Sequence, residues 1–405
     1  MTIFLIILSI ALAVLAVGQL MRVFEASSQL KGGTSVLPTD AENKYQAKMM
    51  LVFLAAYFSF FAWLVARYGD KLLPESASEH GVHLDNLLDF NFAIITVVFA
   101  ITHVFLFYFA FKYVFNKDRK AYYYTHSNKL ELLWTTVPAI FLAVIVIWGL
   151  SEWIDITMDE TPNDAVVIEL YPKQFDWTAR YAGSDSTLGA SNYMMITGTN
   201  PLGVITNQTL EGRIAELETE KADYQIELEK APKGGLKEQE MIEKIEKWDR
   251  ILAKVKSFND LDEANRSLGN DDIIVKSEFV IPRGKEVSFK FRSRDVIHSA
   301  YMPHFRAQMN CVPGMVTEFH FKSTITTDEM REKTQNEEFD YILLCNKICG
   351  AAHYNMQMNI KVVEEEEFNK WMQEQETFAE SIAPAEQNGT ANANQEANVI
   401  SMIEY

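Results

Sequence analysis

The chemistry of this chain concentrates in one short run, Cys345-Asn-Lys-Ile-Cys349-Gly-Ala-Ala-His353-Tyr-Asn-Met356. Thiolates and a thioether are soft donors and imidazole is borderline, a set that selects copper over magnesium or calcium. Zinc also accepts paired Cys and His donors, but a thioether is a poor zinc ligand, so Met356 argues against it. The competing reading is a loop of free thiols beside a packed methionine. The remaining thiol, Cys311, stands alone and reads as a small core hydrophobe. Three cysteines cannot build a disulfide framework.

A ligand loop needs rigid elements to hold it. The run lies between two strand-like segments, 339–344 (FDYILL) and 359–363, so sheet should anchor both of its ends. Residues 165–170 (AVVIEL), 272–280, 285–292 and 315–322 read as further strands. Phe175, Trp177, Ala179 and Tyr181 alternate with polar neighbours, the signature of a half-buried strand. Many short strands separated by Gly and Pro turns predict a β-sandwich. An insertion interrupts it. Residues 209–231 and 236–256 each carry one apolar stripe at helical spacing and should close as an antiparallel helical hairpin. That hairpin reads either as a self-contained ornament or as a contact arm for a partner complex. From about residue 373 the chain is rich in Glu, Gln, Asn and Ala and reads as a disordered tail.

The N-terminal part is of another kind. Apolar segments at 2–21, 49–67, 91–115 and 131–151 approach the ~20 residues a helix needs to cross a bilayer. The loop 116–130 carries Lys117, Arg119, Lys120 and Lys129 and should face the cytoplasm, whereas the acidic loop 68–90 should face outward. Everything after about residue 152 is then extracytoplasmic. The first segment could be a cleaved signal, but three remaining spans would then reverse the charge pattern, so a retained span with its N-terminus outside is expected, the alternative being that segment 49–67 does not span. A formal net charge of −18 excludes a polyphosphate partner such as nucleic acid and suits a basic protein partner.

On these residues the chain resembles subunit II of the haem–copper cytochrome c oxidases. It has the family's C-x-x-x-C-G-x-x-H-x-x-M in Cys345–Met356, its D-V-x-H-S in Asp295–Ser299 and its V-P-G in Val312–Gly314. The run Leu130-Glu131-Leu-Leu-Trp134-Thr135-Thr-Val-Pro138 is similar to the L-E-x-x-W-T-x-x-P that starts the family's second helix. Tyr171 to Tyr181 resembles the aromatic segment that opens the copper domain. The resemblance implies membrane helices followed by a cupredoxin-like sandwich. Residues 1–90 would hold extra N-terminal spans and 91–152 a two-helix hairpin. The copper domain would take 153–185 and 270–370, with the insertion at 186–269 and the tail at 373–405.

The resemblance also implies a dinuclear copper centre, CuA. Cys345 and Cys349 would bridge two coppers, and His298, brought from another loop, and His353 would cap one each. Met356 and the backbone carbonyl of Lys347 would be weak axial ligands. Electrons would arrive one at a time from a cytochrome c, or a cytochrome c domain, and pass to haem in subunit I, where oxygen reduction drives proton pumping in a bacterial inner membrane. Other oxidase subunits, and membership of a larger respiratory supercomplex, follow as partners. No covalent haem is expected, for the chain lacks C-x-x-C-H. Glu131 would stand at the entrance of a proton path.

The sequence departs from the family at three places. Lys347 replaces the Glu whose side chain helps hold magnesium, so no magnesium is expected there. Phe175 replaces the first Trp of Q-W-x-W, so electron entry could involve Phe175, Trp177 or Tyr301. Asn310 replaces the usual Asp before V-P-G. His103 and His304 fall outside the ligand pattern. A quinol oxidase subunit would lack the copper ligands, a copper-delivery protein would lack the helix pair and Met356, and a purely structural subunit would have no reason to hold five soft ligands.

Overall fold

The computed structural model describes residues 2–30, 39–116, 118–157 and 161–383. Four long helices come first: α1 (Thr2–Leu30), α2 (Asp40–Tyr68), α3 (Glu79–Lys112) and α4 (Asn128–Thr157). A helix that is apolar on all sides needs either a core or a bilayer around it. The apolar stretches of α2, α3 and α4 are long enough to cross a membrane and are not buried by protein. The expected first span, 2–21, falls within α1. Helix α2 starts nine residues before the expected segment, at a capping box. Glu42 N donates to Thr39 Oγ1 at 3.3 Å, and Thr39 N donates back to Glu42 Oε2 at 2.7 Å. Pro138 sits inside α4, as membrane helices tolerate.

Contacts divide the chain into two units, 1–72 with 91–138, and 73–90 with 139–405. In the first, aromatic rings join α2 to α3, with Phe53 and Phe107 at 5.3 Å and Phe61 and Phe99 at 5.1 Å. His103 belongs to this packing. Its Nδ1 bonds to Phe99 O at 2.8 Å and its ring stacks on Tyr57.

The second unit is a sandwich of two five-stranded sheets. Its strands are β1 (Val166–Lys173), β2 (Asp176–Tyr181), β3 (Ile273–Val275), β4 (Glu278–Pro282), β5 (Glu286–Phe291), β6 (His298–Met302), β7 (Ala307–Cys311), β8 (Thr317–Lys322), β9 (Tyr341–Cys345) and β10 (Gln357–Val363). One sheet runs β3-β2-β1-β5-β8 and the other β4-β10-β9-β6-β7. The β1–β5 and β4–β10 pairs are parallel, the rest antiparallel. Between the sheets Phe279, Phe289, Phe291, Phe305, Phe321 and Tyr341 are buried, and Phe289 and Phe305 stack on Phe321 at 5.3 and 5.0 Å.

Three expectations are corrected here. The segment 272–280 is not one strand: it breaks after Val275, and its halves join different sheets. His298 is not on a loop but opens β6, and both β6 and its partner β7 escape the hydrophobic pattern. Strand β2 is not half-buried, since Thr178 is 6% and Arg180 2% exposed. Arg180 is tolerated inside because Glu169 and Asp272 neutralise it, at 2.8 and 3.0 Å, and Gly189 O accepts from it at 3.0 Å.

The insertion forms α5 (Asn207–Lys230) and α6 (Leu236–Lys256), followed by the short α7 (Glu263–Ser267). Leu210, Leu217, Leu252 and Val255 close the seam with Met195 and Ile205. Lys221, the polar exception in the stripe, pairs with Asp249. Helix α8 (Thr327–Thr334) precedes β9. After β10, α9 (Glu365–Glu374) lays Trp371 against Tyr181 at 5.3 Å. Residues 375–383 continue into α10 (Phe378–Ser381) rather than opening the expected tail, because Phe378 is buried with Tyr171, Leu202 and Val204. Residues 384–405 lie outside the described residues.

Residues 73–78 and the first turns of α3, which take in the second half of the expected loop 68–90, form a strap on the sandwich. Arg306 grips Asp85 with two bonds of 2.8 and 2.7 Å, and Ser78 Oγ donates to Phe305 O at 2.7 Å. The acidic loop and the sandwich therefore share one side of the membrane, as the charge pattern requires.

Candidate metal centre

Sheet geometry brings the sulfur and nitrogen donors together. Strands β6 and β9 are neighbours, with Ala300 opposite Cys345, so His298 and Cys345 reach the same end of the sheet. The loop between β9 and β10 folds back, and Cys345 N donates to Met356 O at 3.0 Å, closing it. Gly350 makes the fold-back with φ +143°. A Cβ there would lie 2.8 Å from both Gln174 Nε2 and the Phe175 ring, which explains the glycine after Cys349.

The donors form a chain of short contacts. Cys345 Sγ and Cys349 Sγ are 3.9 Å apart. His298 Nδ1 lies 3.8 Å from Cys345 Sγ, and His353 Nδ1 lies 3.6 Å from Cys349 Sγ. Met356 Sδ is 3.8 Å from Cys349 Sγ, and Lys347 O accepts from Cys345 Sγ at 3.2 Å. The ligand atoms of His298, Cys345 and Cys349 all lie within 4.8 Å of one another, and all three residues are buried. Burial, and then the Cys345 thiol beside it, push the Cys349 thiol up to about 11. Two buried thiols this close resist ionising together unless a cation shares their charge. The donor set therefore fits a soft metal ion, and the cluster could hold copper.

Asp295 and Gln174 support the ligands, and residue type alone did not reveal either. Asp295 Oδ1 stands 2.8 Å from His298 Nε2. A carboxylate there keeps the proton on Nε2 and turns the Nδ1 lone pair toward the sulfurs. Asp295 also accepts from the backbone N–H of Gln174 and Val296, both at 2.7 Å. Burial raises the Asp295 carboxyl, but these three hydrogen bonds outweigh it and hold the group below its ordinary range. The Gln174 side chain donates to Cys349 O. One residue thus touches the supports of both a histidine and a cysteine. The only sequence signal was their place beside recognised residues, Asp295 opening the D-V-x-H-S and Gln174 opening the segment that matches Q-W-x-W.

The expected entry residues separate in depth. Phe175 is 36% exposed beside Gly350, and Tyr301 is partly exposed on β6. Trp177 is 1% exposed, with its ring 6.4 Å from that of His298. It lies behind the ligands, not on the surface. His304 packs edge-on to Phe339 and Tyr341, away from the sulfurs. Lys347 and Asn310 are exposed. Glu131 lies in the other unit, in the first turn of α4, where it accepts from Ser127 N at 3.2 Å and faces His126 at 3.3 Å.

Comparison with known proteins adds the following. Residues 66–151 match the cytochrome c oxidase subunit II transmembrane domain, and residues 253–363 match the periplasmic domain of the same subunit. The chain is 26% identical over 298 residues to an alternative cytochrome c oxidase subunit 2 of Bradyrhizobium diazoefficiens, covering 73% of this chain and 82% of that one. It is 23% identical over 323 residues to cytochrome c oxidase subunit 2 of Thermostichus vulcanus, covering 78% and 82%. Among solved structures, the periplasmic domain of subunit II of cytochrome oxidase of Bradyrhizobium japonicum aligns over 53% of this chain and 95% of its own, at 18% identity and a TM-score of 0.26. The chain is thus an inner-membrane protein with its β-sandwich outside the cytoplasm, and it works with other subunits of an oxidase complex. It belongs to the cytochrome c oxidase subunit II family.

Proposed function

We propose that this subunit receives electrons singly from a cytochrome c, or a cytochrome c domain, at a dinuclear CuA centre and hands them to haem in subunit I. The observation that carries the reading is the pair of sulfurs 3.9 Å apart, each with one imidazole nitrogen within 3.8 Å. Cys345, Cys349, His298, His353, Met356 and the backbone carbonyl of Lys347 would hold the copper. When bound, the copper pair supplies a one-electron carrier whose charge is spread over both metals.

The protein's part is to keep the ligands still. Strands β6, β9 and β10 fix the ends of the loop, and Asp295 fixes the His298 ring. Trp177 closes the inner side against water. Phe175 and Tyr301 are the accessible candidates for the entry region, and the apolar side chains of Phe175 (36%), Ile297 (45%), Ile348 (87%) and Tyr354 (86%) are exposed on the loops that carry the ligands. Lys347 offers only its carbonyl, since an ammonium cannot bind magnesium, so no magnesium is held through its side chain. Glu131 is proposed as the cytoplasmic entrance of a proton path into subunit I.

Electron paramagnetic resonance of the copper-loaded chain tests the core of this reading. A mixed-valence two-copper signal is expected, and a single type-2 copper signal would overturn it. Removal of Glu131 by Glu131→Ala should slow turnover and proton uptake together, and unchanged rates of both would sink the proton role.

A further inference from the structure

One cavity of the second unit has no part in the copper site. It lies where the strap and the ends of α3 and α4 meet β5 and β8, measures 310 Å³, and is lined by three imidazoles and several carboxylates. His320 on β8 meets Glu286 on β5, Nδ1 to Oε1, at 2.7 Å, with each side chain 18% exposed. His83, in the first turns of α3, faces Glu152 near the end of α4 at 3.7 Å. The Trp148 indole N–H holds Glu152 at 2.9 Å. His80 Nε2 is buried in this region without a hydrogen-bond partner. Lys322, the one ammonium on the wall, is tied to Glu79 at 2.7 Å.

A buried polar atom with no partner calls for an explanation. Aromatic packing accounts for the His80 ring, which lies edge-on to Phe319 at 5.6 Å, but not for the nitrogen. We propose that this cavity binds a divalent cation of the zinc class, with His80, His83 and His320 as nitrogen ligands and Glu286 as the carboxylate ligand. Mixed imidazole and carboxylate donors suit zinc, whereas magnesium and calcium favour oxygen alone. Among the described residues only the copper cluster has three such donor atoms within 4.8 Å of one another, so binding here requires His80 and His83 to turn toward the His320–Glu286 pair. His83, with a side chain 59% exposed, has the most room to turn. Such an ion would clip the first turns of α3 and the outer end of α4 to the β5–β8 edge.

Metal counting on the intact, copper-loaded oxidase complex tests the site. The complex is incubated with zinc sulfate, freed of excess, and analysed for zinc and copper by plasma mass spectrometry, with magnesium sulfate as a parallel probe. About one zinc per copy of this chain is expected beyond the copper, and no magnesium. The double variant His83→Gln with His320→Gln should lose the zinc while copper content and the copper absorption spectrum stay unchanged. The single variant His83→Gln, at an exposed position, should bind zinc more weakly and guards against misfolding of the double. Absence of zinc from the wild type, full retention by both variants, or equal uptake of magnesium would overturn the proposal.

Discussion

Replacing Asp295 by alanine should weaken copper binding without dismantling the sandwich. The carboxylate accepts three bonds of 2.7–2.8 Å, from His298 Nε2, Gln174 N and Val296 N. His298 is 0% exposed while Asp295 covers it, and a water entering in place of the exposed carboxylate is an uncharged, unanchored acceptor for its ring. A buried donor left without a partner costs about 1–3 kcal/mol. Removal of a group that orients a metal ligand lowers metal affinity about 10–100-fold, which converts to about 1.4–2.8 kcal/mol. The two ranges agree, as they should if one hydrogen bond is responsible for both. Competition against a copper chelator, followed by the absorption of the loaded centre, measures the affinity. Asp295→Asn keeps an acceptor for His298 but turns an amide toward one backbone N–H, so it should fall between alanine and wild type. An affinity within about twofold of wild type in the alanine variant, with thermal stability lowered, would refute the reasoning and leave Asp295 a purely structural residue.

Four shorter predictions follow from the same structure. Gly350→Ala should destabilise the domain by about 1–3 kcal/mol, through a strained φ and contact with Gln174 and Phe175, read as a lower denaturant midpoint. Arg180→Leu leaves Asp272 buried without a cation and Glu169 with Arg292 alone, and should cost about 3–5 kcal/mol in the same assay. Cys311, fully buried with its thiol pushed up to about 12, should resist alkylation in the native protein and react only after unfolding, as followed by mass spectrometry. Lys347→Ala should leave copper content and spectrum unchanged, because only the backbone carbonyl faces Cys345.

The ligand loop was legible because its chemistry is local: soft donors at short spacing are visible without any fold. The strands of steady alternation or high β-propensity were legible for similar reasons. What stayed hidden was set by tertiary contact. Strand β6 reads His-Ser-Ala-Tyr-Met and β7 reads Ala-Gln-Met-Asn-Cys, with no β-branched residue in either. They are strands because β9 and each other's edges supply their bonds. Arg180 looks like a solvent-facing residue on a half-buried strand, and only the fold brings Asp272 from 92 positions away to neutralise it. Phe378 sits in a polar, low-complexity context, and its burial depends on Leu202 and Val204 of the insertion. The supporting bond from Gln174 to Asp295 spans 121 positions, and spacing rules cannot see that far.

The strap carries a consequence for the order of biosynthesis. Asp85 and Arg306 are 221 positions apart, and Glu75 and Lys333 are 258 apart. The strap therefore leaves the ribosome, and α3 and α4 are inserted, well before the sheet that receives it exists. It must wait outside the membrane as an unpaired acidic segment until β8 and α8 have been translocated. Loop-closure entropy grows only slowly with length, and helices already fixed in the bilayer shorten the effective search. Docking of the strap is thus a late event that only a fully exported domain can complete.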